Sequence, residues 1–305
     1  MENPRWLGLA MPDNDALFDA DFMSKLERLS IVARRAYPGM MKGEKRSPRR
    51  GTSVEFADFR NYAPGDDFRH VDWNVYGRLE KLFLKLFMEE EDLHVYVLFD
   101  VSKSMDFGQP KKIDFARRLA GALGYVALTA LDRVGMAAFS DRVHLIFPTC
   151  RGRHSAHRML DFLRKVEIGG QTNLGFSLSQ WALRARRPGV AFIVSDFFDE
   201  GGFEQGLMAL LANRYEVNVI HVLDDFELNP DIRGDLRLVD VETKAQREVT
   251  VSGSMLATYQ RSLAEFCGRL QTFCHRHRMG YARAASSTPF EDLVLRQFRR
   301  SMFVR

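Results

Sequence analysis

Cysteine is scarce in this chain. The three present among 305 residues, at positions 150, 267 and 274, are too few and too scattered for a disulfide framework and fit a reducing compartment. Long apolar runs are missing as well. Residues 119–131 give thirteen uncharged positions, whereas a membrane-spanning helix needs roughly 20. The first twenty residues hold four acids and one arginine, so the basic and apolar regions of a secretory signal are lacking and a cytoplasmic location is expected. Charge of one sign is not in large excess. Lys and Arg number 44 against 40 Asp and Glu, a net +4, which is too mild to call for a nucleic-acid partner. There is no Gly-x-Ser-x-Gly elbow, no Gly-x-x-x-x-Gly-Lys phosphate cradle and no dinucleotide fingerprint, which removes the usual sequence grounds for an enzyme. What is abundant is ordinary: 46% hydrophobic and 28% charged residues exclude disorder and collagen-like repeats and describe a soluble globular protein.

Texture divides the chain. Residues 21–36 place Phe22, Leu26, Leu29, Val32 and Ala33 at helical spacing, which predicts an amphipathic helix. Residues 38–51 carry Lys42, Lys45, Arg46, Arg49 and Arg50 with prolines at 38 and 48; with so little to pack, they read as an exposed basic loop. Residues 54–87 are rich in aromatics and contain the turn signal Ala63-Pro64-Gly65-Asp66-Asp67. From His94 onward, short apolar runs alternate with helical segments, the pattern of a mostly parallel sheet covered by helices. Strands are predicted at 94–99, 134–139, 143–147, 190–194, 217–223 and 281–285, and helices at 113–131, 154–166, 174–186, 203–212 and 255–278. Ser140-Asp141-Arg142 should turn a hairpin. Residues 231–251 read as a second hairpin, and 289–298 as a closing helix. The long helix 255–278 should pack on the sheet through Leu256, Tyr259, Leu263, Phe266, Leu270 and Phe273.

The chemistry concentrates where the first of these strands ends, at Asp100-Val101-Ser102-Lys103-Ser104. Ligands of open α/β sheets bind at the carboxyl ends of strands. Here three oxygen-bearing side chains at a spacing of two can turn toward one point. Hydroxyls and carboxylates are hard donors that suit Mg²⁺, with some positions left to water. One loop cannot fill six positions, so other strand ends must contribute. Thr172 and Asp196 stand where they are needed, although a Thr just before a helix also serves as an N-cap.

Asp100-x-Ser102-x-Ser104 followed by Thr172 and Asp196 resembles the metal-ion-dependent adhesion site of von Willebrand factor A domains. Upstream, Gly51-Thr52-Ser53-Val54-Glu55-Phe56, Arg60-Asn61-Tyr62, Pro64-Gly65-Asp66-Asp67, Arg69, Asp72-Trp73 and Lys85 resemble the characteristic segment of the DUF58 family. The resemblance implies a doubly wound, mostly parallel α/β sheet of von Willebrand A type with helices on both faces. It also implies an N-terminal helix and basic loop at 1–50, a family-specific insertion at 51–90 and the α/β domain at 91–305. It further implies a divalent cation, Mg²⁺ or else Mn²⁺ or Ca²⁺, held by Asp100, Ser102, Ser104, Thr172 and Asp196. The implied partner is a MoxR-type AAA+ ATPase or its client. A non-enzymatic binding module is therefore the expected function; the alternative is a metal-dependent phosphohydrolase using Asp100.

Other features have plainer readings beside the functional one. Asp66, Arg69, Asp72 and Arg78 fit an internal salt-bridged network, or, with Arg60 and Trp73, a partner-binding face. Trp73 is expected as a core anchor, since tryptophan contributes most when buried. Cys267, Cys274, His275 and His277 do not make a zinc site, because positions 267 and 274 on one straight helix stand about 10 Å apart.

Overall fold

The computed structural model describes residues 26, 27, 31, 55–64, 68, 71–88, 93–184, 187–232, 234–239 and 246–288, with backbone alone at 55–60, 85–88, 236, 238, 239 and 247. The expected basic loop at 38–51, the closing helix at 289–298 and nearly all of the helix at 21–36 lie outside the described residues. Of that last segment, Leu26 and Ile31 are buried. Two compact units emerge, one within Arg35–Leu93 and the other from His94 onward together with the N-terminal segment.

The smaller unit pairs β1 (Glu55–Asn61) antiparallel with β2 (Phe83–Met88). Between them in the chain stands a short helix, α1 (Trp73–Leu79). Asp72 starts this helix by accepting from the backbone amides of Asn74 at 2.9 Å and Val75 at 3.3 Å, so its carboxylate acts as an N-cap. Val71 bridges to Leu84, and both are buried. Trp73 is 60% exposed, which corrects its expected role as a core anchor.

The larger unit holds a six-stranded sheet in the order β10-β7-β6-β3-β4-β5. In chain order it runs β3 (His94–Asp100), α2 (Lys112–Thr129), β4 (Arg133–Phe139), β5 (Val143–Arg151), α3 (Ala156–Lys165), α4 (Leu174–Arg184), β6 (Val190–Ser195), α5 (Glu204–Ala212) and β7 (Glu216–Leu223). It continues with α6 (Asp225–Leu228), β8 (Gly234–Val239), β9 (Gln246–Val251), α7 (Gly253–Arg276) and β10 (Gly280–Ala285). All neighbouring strands of the sheet are parallel except β4 and β5, which form the expected hairpin. β8 and β9 form the second, with Leu236 opposite Val249.

The strands are near-continuous apolar runs because both faces are covered. Every residue of β6 and β7 is buried. Tyr96, Leu98, Phe139, Ile193 and Val219 point to one face and pack with Leu178, Leu207 and Leu270 from α4, α5 and α7. Alternate residues point to the other face, as a period of two requires. There α2 lies on β3 and β4, and Gly124 approaches Met136 and Met159 so closely that a side chain would not fit. Of the expected stripe of α7, Leu263 and Leu270 are buried and Phe266 and Phe273 pack against the core, and Cys267 and Cys274 join them inside. Tyr259 remains exposed, with its hydroxyl donating to the Glu227 carbonyl at 3.0 Å.

Strand order reverses beside β3. β4 follows it on one side, whereas β6, β7 and β10 extend on the other. The crevice between the carboxyl ends of β3 and β6 is thus the topological switch point, where open α/β sheets bind their ligands.

Candidate metal site at the switch point

Asp100 closes β3, and Ser195 and Asp196 close β6, so both sides of that crevice carry oxygen. Asp100 has no exposed surface. Its Oδ1 accepts from the Ser102 amide at 2.9 Å and its Oδ2 from the Ser195 hydroxyl at 2.6 Å. Burial, reinforced by the nearby Asp196 charge, pushes the Asp100 carboxyl up to about 7, although the Ser195 and Ser102 hydrogen bonds pull the other way. The carboxylate thereby fixes the turn that leaves β3. Asp100 is thus an interior residue that holds two strand ends together. Alanine here would strip partners from the Ser195 hydroxyl and the Ser102 amide, at about 1–3 kcal/mol for each orphaned group.

That turn brings the Ser102 and Ser104 hydroxyl oxygens to 3.0 Å from each other. Two cis ligands of an octahedral Mg²⁺, each about 2.1 Å from the ion, stand about 3.0 Å apart. The two hydroxyls are hydrogen-bonded to each other, and their separation equals the span of one octahedral edge. Ser104 is half-buried, which leaves the pair open to solvent on one side.

The loop that carries Thr172 is tied by its backbone to the turn after β3. The Gly169 amide donates to the Val101 carbonyl at 2.8 Å, and the Lys103 amide to the Gly170 carbonyl at 3.3 Å. Gly170 has φ +81°, and a Cβ there would come within 2.5 Å of Ser140 Oγ, so the loop needs glycine at this point. Thr172 is half-buried. Beside it Asn173 caps α4 by accepting from the Phe176 amide at 2.9 Å, and Asp199 accepts from the Leu174 amide at 2.6 Å.

Asp196 is fully buried, and its Oδ1 accepts from the Phe198 amide at 3.1 Å. Next to it, Phe197 holds φ at 58°, a conformation that costs a bulky residue about 1–3 kcal/mol. The Ser195 hydroxyl oxygen accepts from the Phe197 amide at 2.9 Å, and its ring packs edge-on to Phe203 and His221. These contacts hold the kink.

The other Asp196 oxygen, Oδ2, takes a hydrogen bond from the Lys112 ammonium at 2.8 Å. Lys112, fully enclosed, also donates to Glu227 Oε1 at 2.5 Å. Burial alone would push this ammonium down, but Asp196 and Glu227 together outweigh it and hold it above the ordinary lysine value. Sequence reading named Asp100, Ser102, Ser104, Thr172 and Asp196; it did not name Ser195, Lys112 or Glu227, which hydrogen bonds link to Asp100 and Asp196. A serine directly before Asp196 at a strand end was a usable signal. Glu227 carried a misleading one, since Asp224 and Glu227 form a capping box at α6.

Ser140, Asp141 and His144 also cluster at the end of β4. Ser140 Oγ lies 2.6 Å and Asp141 Oδ1 2.9 Å from the same ring nitrogen, His144 Nε2. A catalytic relay needs the acid on the opposite nitrogen, and Ser140 is fully buried. Of the residues expected on a partner-binding face, Trp73 and Arg78 are exposed, whereas Asp72 is buried. The side chain of Arg60, and Asp66 and Arg69 altogether, lie outside the described residues. No described helix is long and apolar enough to cross a membrane.

Comparison with known proteins gives a consistent family and no assigned activity. Uncharacterized protein Rv1480 of Mycobacterium tuberculosis is 28% identical over 253 residues, covering 81% of this chain and 79% of its own. Uncharacterized protein MAV169 of Mycobacterium avium is 32% identical over 157 residues, covering 50% of this chain and 85% of its own. Among solved structures, BatB from Bacteroides thetaiotaomicron superposes with a TM-score of 0.45 at 17% identity, covering 68% of this chain and 98% of that one. An aerotolerance-related membrane protein from Bacteroides fragilis gives 0.42 at 18% identity, covering 68% and 99%. The sequence pattern of the family described as protein of unknown function DUF58 matches residues 58–266, and with that match over more than half its length the chain belongs to the DUF58 family.

Proposed function

We propose that this protein is a non-enzymatic, divalent-metal-dependent protein-binding module with a von Willebrand A-like α/β domain. In this reading Ser102, Ser104 and Thr172 hold Mg²⁺, with Mn²⁺ or Ca²⁺ as alternatives. Asp100 and Asp196 stand behind them and fix the loops that carry the hydroxyls. A cation held mainly by neutral oxygens keeps much of its charge and draws an acidic side chain from a partner. The partner we propose is a MoxR-type AAA+ ATPase or its client, on the strength of the family resemblance, with binding in the cytoplasm.

The observation that carries this reading is the 3.0 Å separation of the Ser102 and Ser104 hydroxyls at the switch point. The phosphohydrolase alternative requires Asp100 as an attacking nucleophile. Its complete burial and the engagement of both its oxygens by Ser102 and Ser195 speak against that role.

The test is affinity capture from the native cell with and without chelator, using wild type and Asp100→Asn, which keeps the side chain's shape. Capture should need the metal and should be lost or much reduced in the variant. Equal capture in chelator would sink the reading. Phosphate release from generic substrates with Mg²⁺ would favour the alternative.

A further inference from the structure

Lys112 is placed against every ordinary preference of lysine. It is the first residue of α2 and has no exposed surface. That position puts a cation at the positive end of a helix dipole and takes an ammonium out of water. Packing does not require it, for an apolar side chain of similar length could lie between the Phe107 and Phe198 rings, whose centroids are 5.8 and 5.4 Å from Nζ. Two carboxylates face it: Asp196 Oδ2 at 2.8 Å and Glu227 Oε1 at 2.5 Å. Glu227 is itself held from behind, since its Oε2 accepts from the Asp224 amide at 2.8 Å. Asp224 Oδ2 in turn accepts from the Ser286 hydroxyl at 2.9 Å. Lys112 is thus the link between Asp196, at the candidate metal site, and a fixed chain of hydrogen bonds across the ends of β7 and β10.

Charge adds to the placement, since Lys112 offsets one of the two negative charges that Asp196 and Glu227 bring to it.

We infer that Lys112 is a positioning residue of the metal site, an internal cation that pins Asp196 and offsets one of the two carboxylate charges facing it, so setting how strongly the site draws a divalent ion. This rests on the metal-dependent reading above. Were Lys112 absent, Asp196 would be free to turn toward the ion and the local field would be more negative, so divalent binding would tighten. Were Glu227 neutralised, the ammonium would bear on Asp196 alone, and divalent binding would weaken. A purely architectural lysine predicts neither change.

Mn²⁺ titration of the full chain, followed by electron paramagnetic resonance, distinguishes these cases. Lys112→Met should bind Mn²⁺ about tenfold or more tightly than wild type, and Glu227→Gln about tenfold more weakly, the scale of one unit charge acting on a divalent ion. Lys112→Met should also melt lower than wild type in chelator and regain more of its melting temperature on adding Mn²⁺. If Lys112→Met does not fold, Glu227→Gln decides alone, since its amide oxygen can still accept from Lys112. Wild-type binding that Glu227→Gln leaves unchanged, or that Lys112→Met weakens or leaves unchanged, overturns the inference while sparing the metal reading. Absence of Mn²⁺ binding in wild type and both variants overturns both.

Discussion

The two units of this chain differ in how far they enclose their charged and aromatic groups. In the larger one, charged groups are drawn inside: Asp100, Lys112 and Asp196 are fully enclosed. In the smaller one, apolar groups are left outside, with Phe68, Trp73, Tyr76 and Leu79 exposed. Residue type alone therefore says little about burial here; the availability of partners decides. The parallel sheet has six strands whose ends converge, so a lysine can find two carboxylates and two rings at once. The short helix α1 has no buried residue, and the faces of its aromatics meet each other instead. Trp73 lies edge-on to Tyr76 at 6.1 Å, and Tyr62 stacks on Phe68 at 5.0 Å.

The hardest way to strain this contrast is to introduce a new charge into the larger unit. Phe266 packs against Phe198, Phe203 and His221, with the Arg269 guanidinium over its ring at 5.8 Å, so a carboxylate here forfeits three aromatic contacts and enters an apolar cluster. Phe266→Asp should abolish cooperative unfolding, or lower the melting temperature by about 10 °C or more, as expected for about 4 kcal/mol in a domain of this size. An unchanged melting curve would show that enclosure in this unit is weaker than its packing indicates.

A neutral group sharpens the same point. Burial is the main cause that pushes the His221 imidazole down to about 4, so the folded protein holds it uncharged. The unfolded chain binds a proton at about pH 6.5, the folded one only near 4. Stability is therefore fully present above pH 6.5 and is lost as pH falls toward 4, with His221 contributing on the order of 3 kcal/mol to that loss. Denaturant unfolding between pH 7 and 4 should show this slope, and His221→Gln should flatten it. An equal slope in the variant would assign the loss to other groups.

In the smaller unit, effects should be modest and local. Asp72→Ala removes the cap of α1 and should cost about 1 kcal/mol, read as earlier fraying by hydrogen exchange at Asn74 and Val75. Smaller still, Trp73→Ala should change stability by no more than about 0.5 kcal/mol, because the ring is largely in water. A loss of several kcal/mol would mean that Trp73 is an anchor after all and would erase the contrast between the units.

How much of this was legible beforehand follows the range of the interactions. The strands and helices from His94 onward were readable because each is a local pattern, and Asp100, Ser102 and Ser104 because they share one loop. Ser195 binds Asp100 from 95 residues away, and Glu227 binds Lys112 from 115; no spacing rule reaches that far. The α7 stripe was readable at Leu263, Phe266, Leu270 and Phe273, but the three- and four-residue rule also admits the adjacent row, and the small cysteines at 267 and 274 lie inside while Tyr259 stays exposed. Trp73 was misjudged because its type was weighed without the size of the element that carries it.

The account stands on the hydroxyl pair at the switch point, and Mn²⁺ binding tests that pair most directly. Titrating the full chain by electron paramagnetic resonance should reveal one saturable site in wild type. Replacing Ser102 and Ser104 together by alanine should abolish it while far-ultraviolet circular dichroism stays the same. Mn²⁺ binding that is undiminished in the double variant would contradict the account.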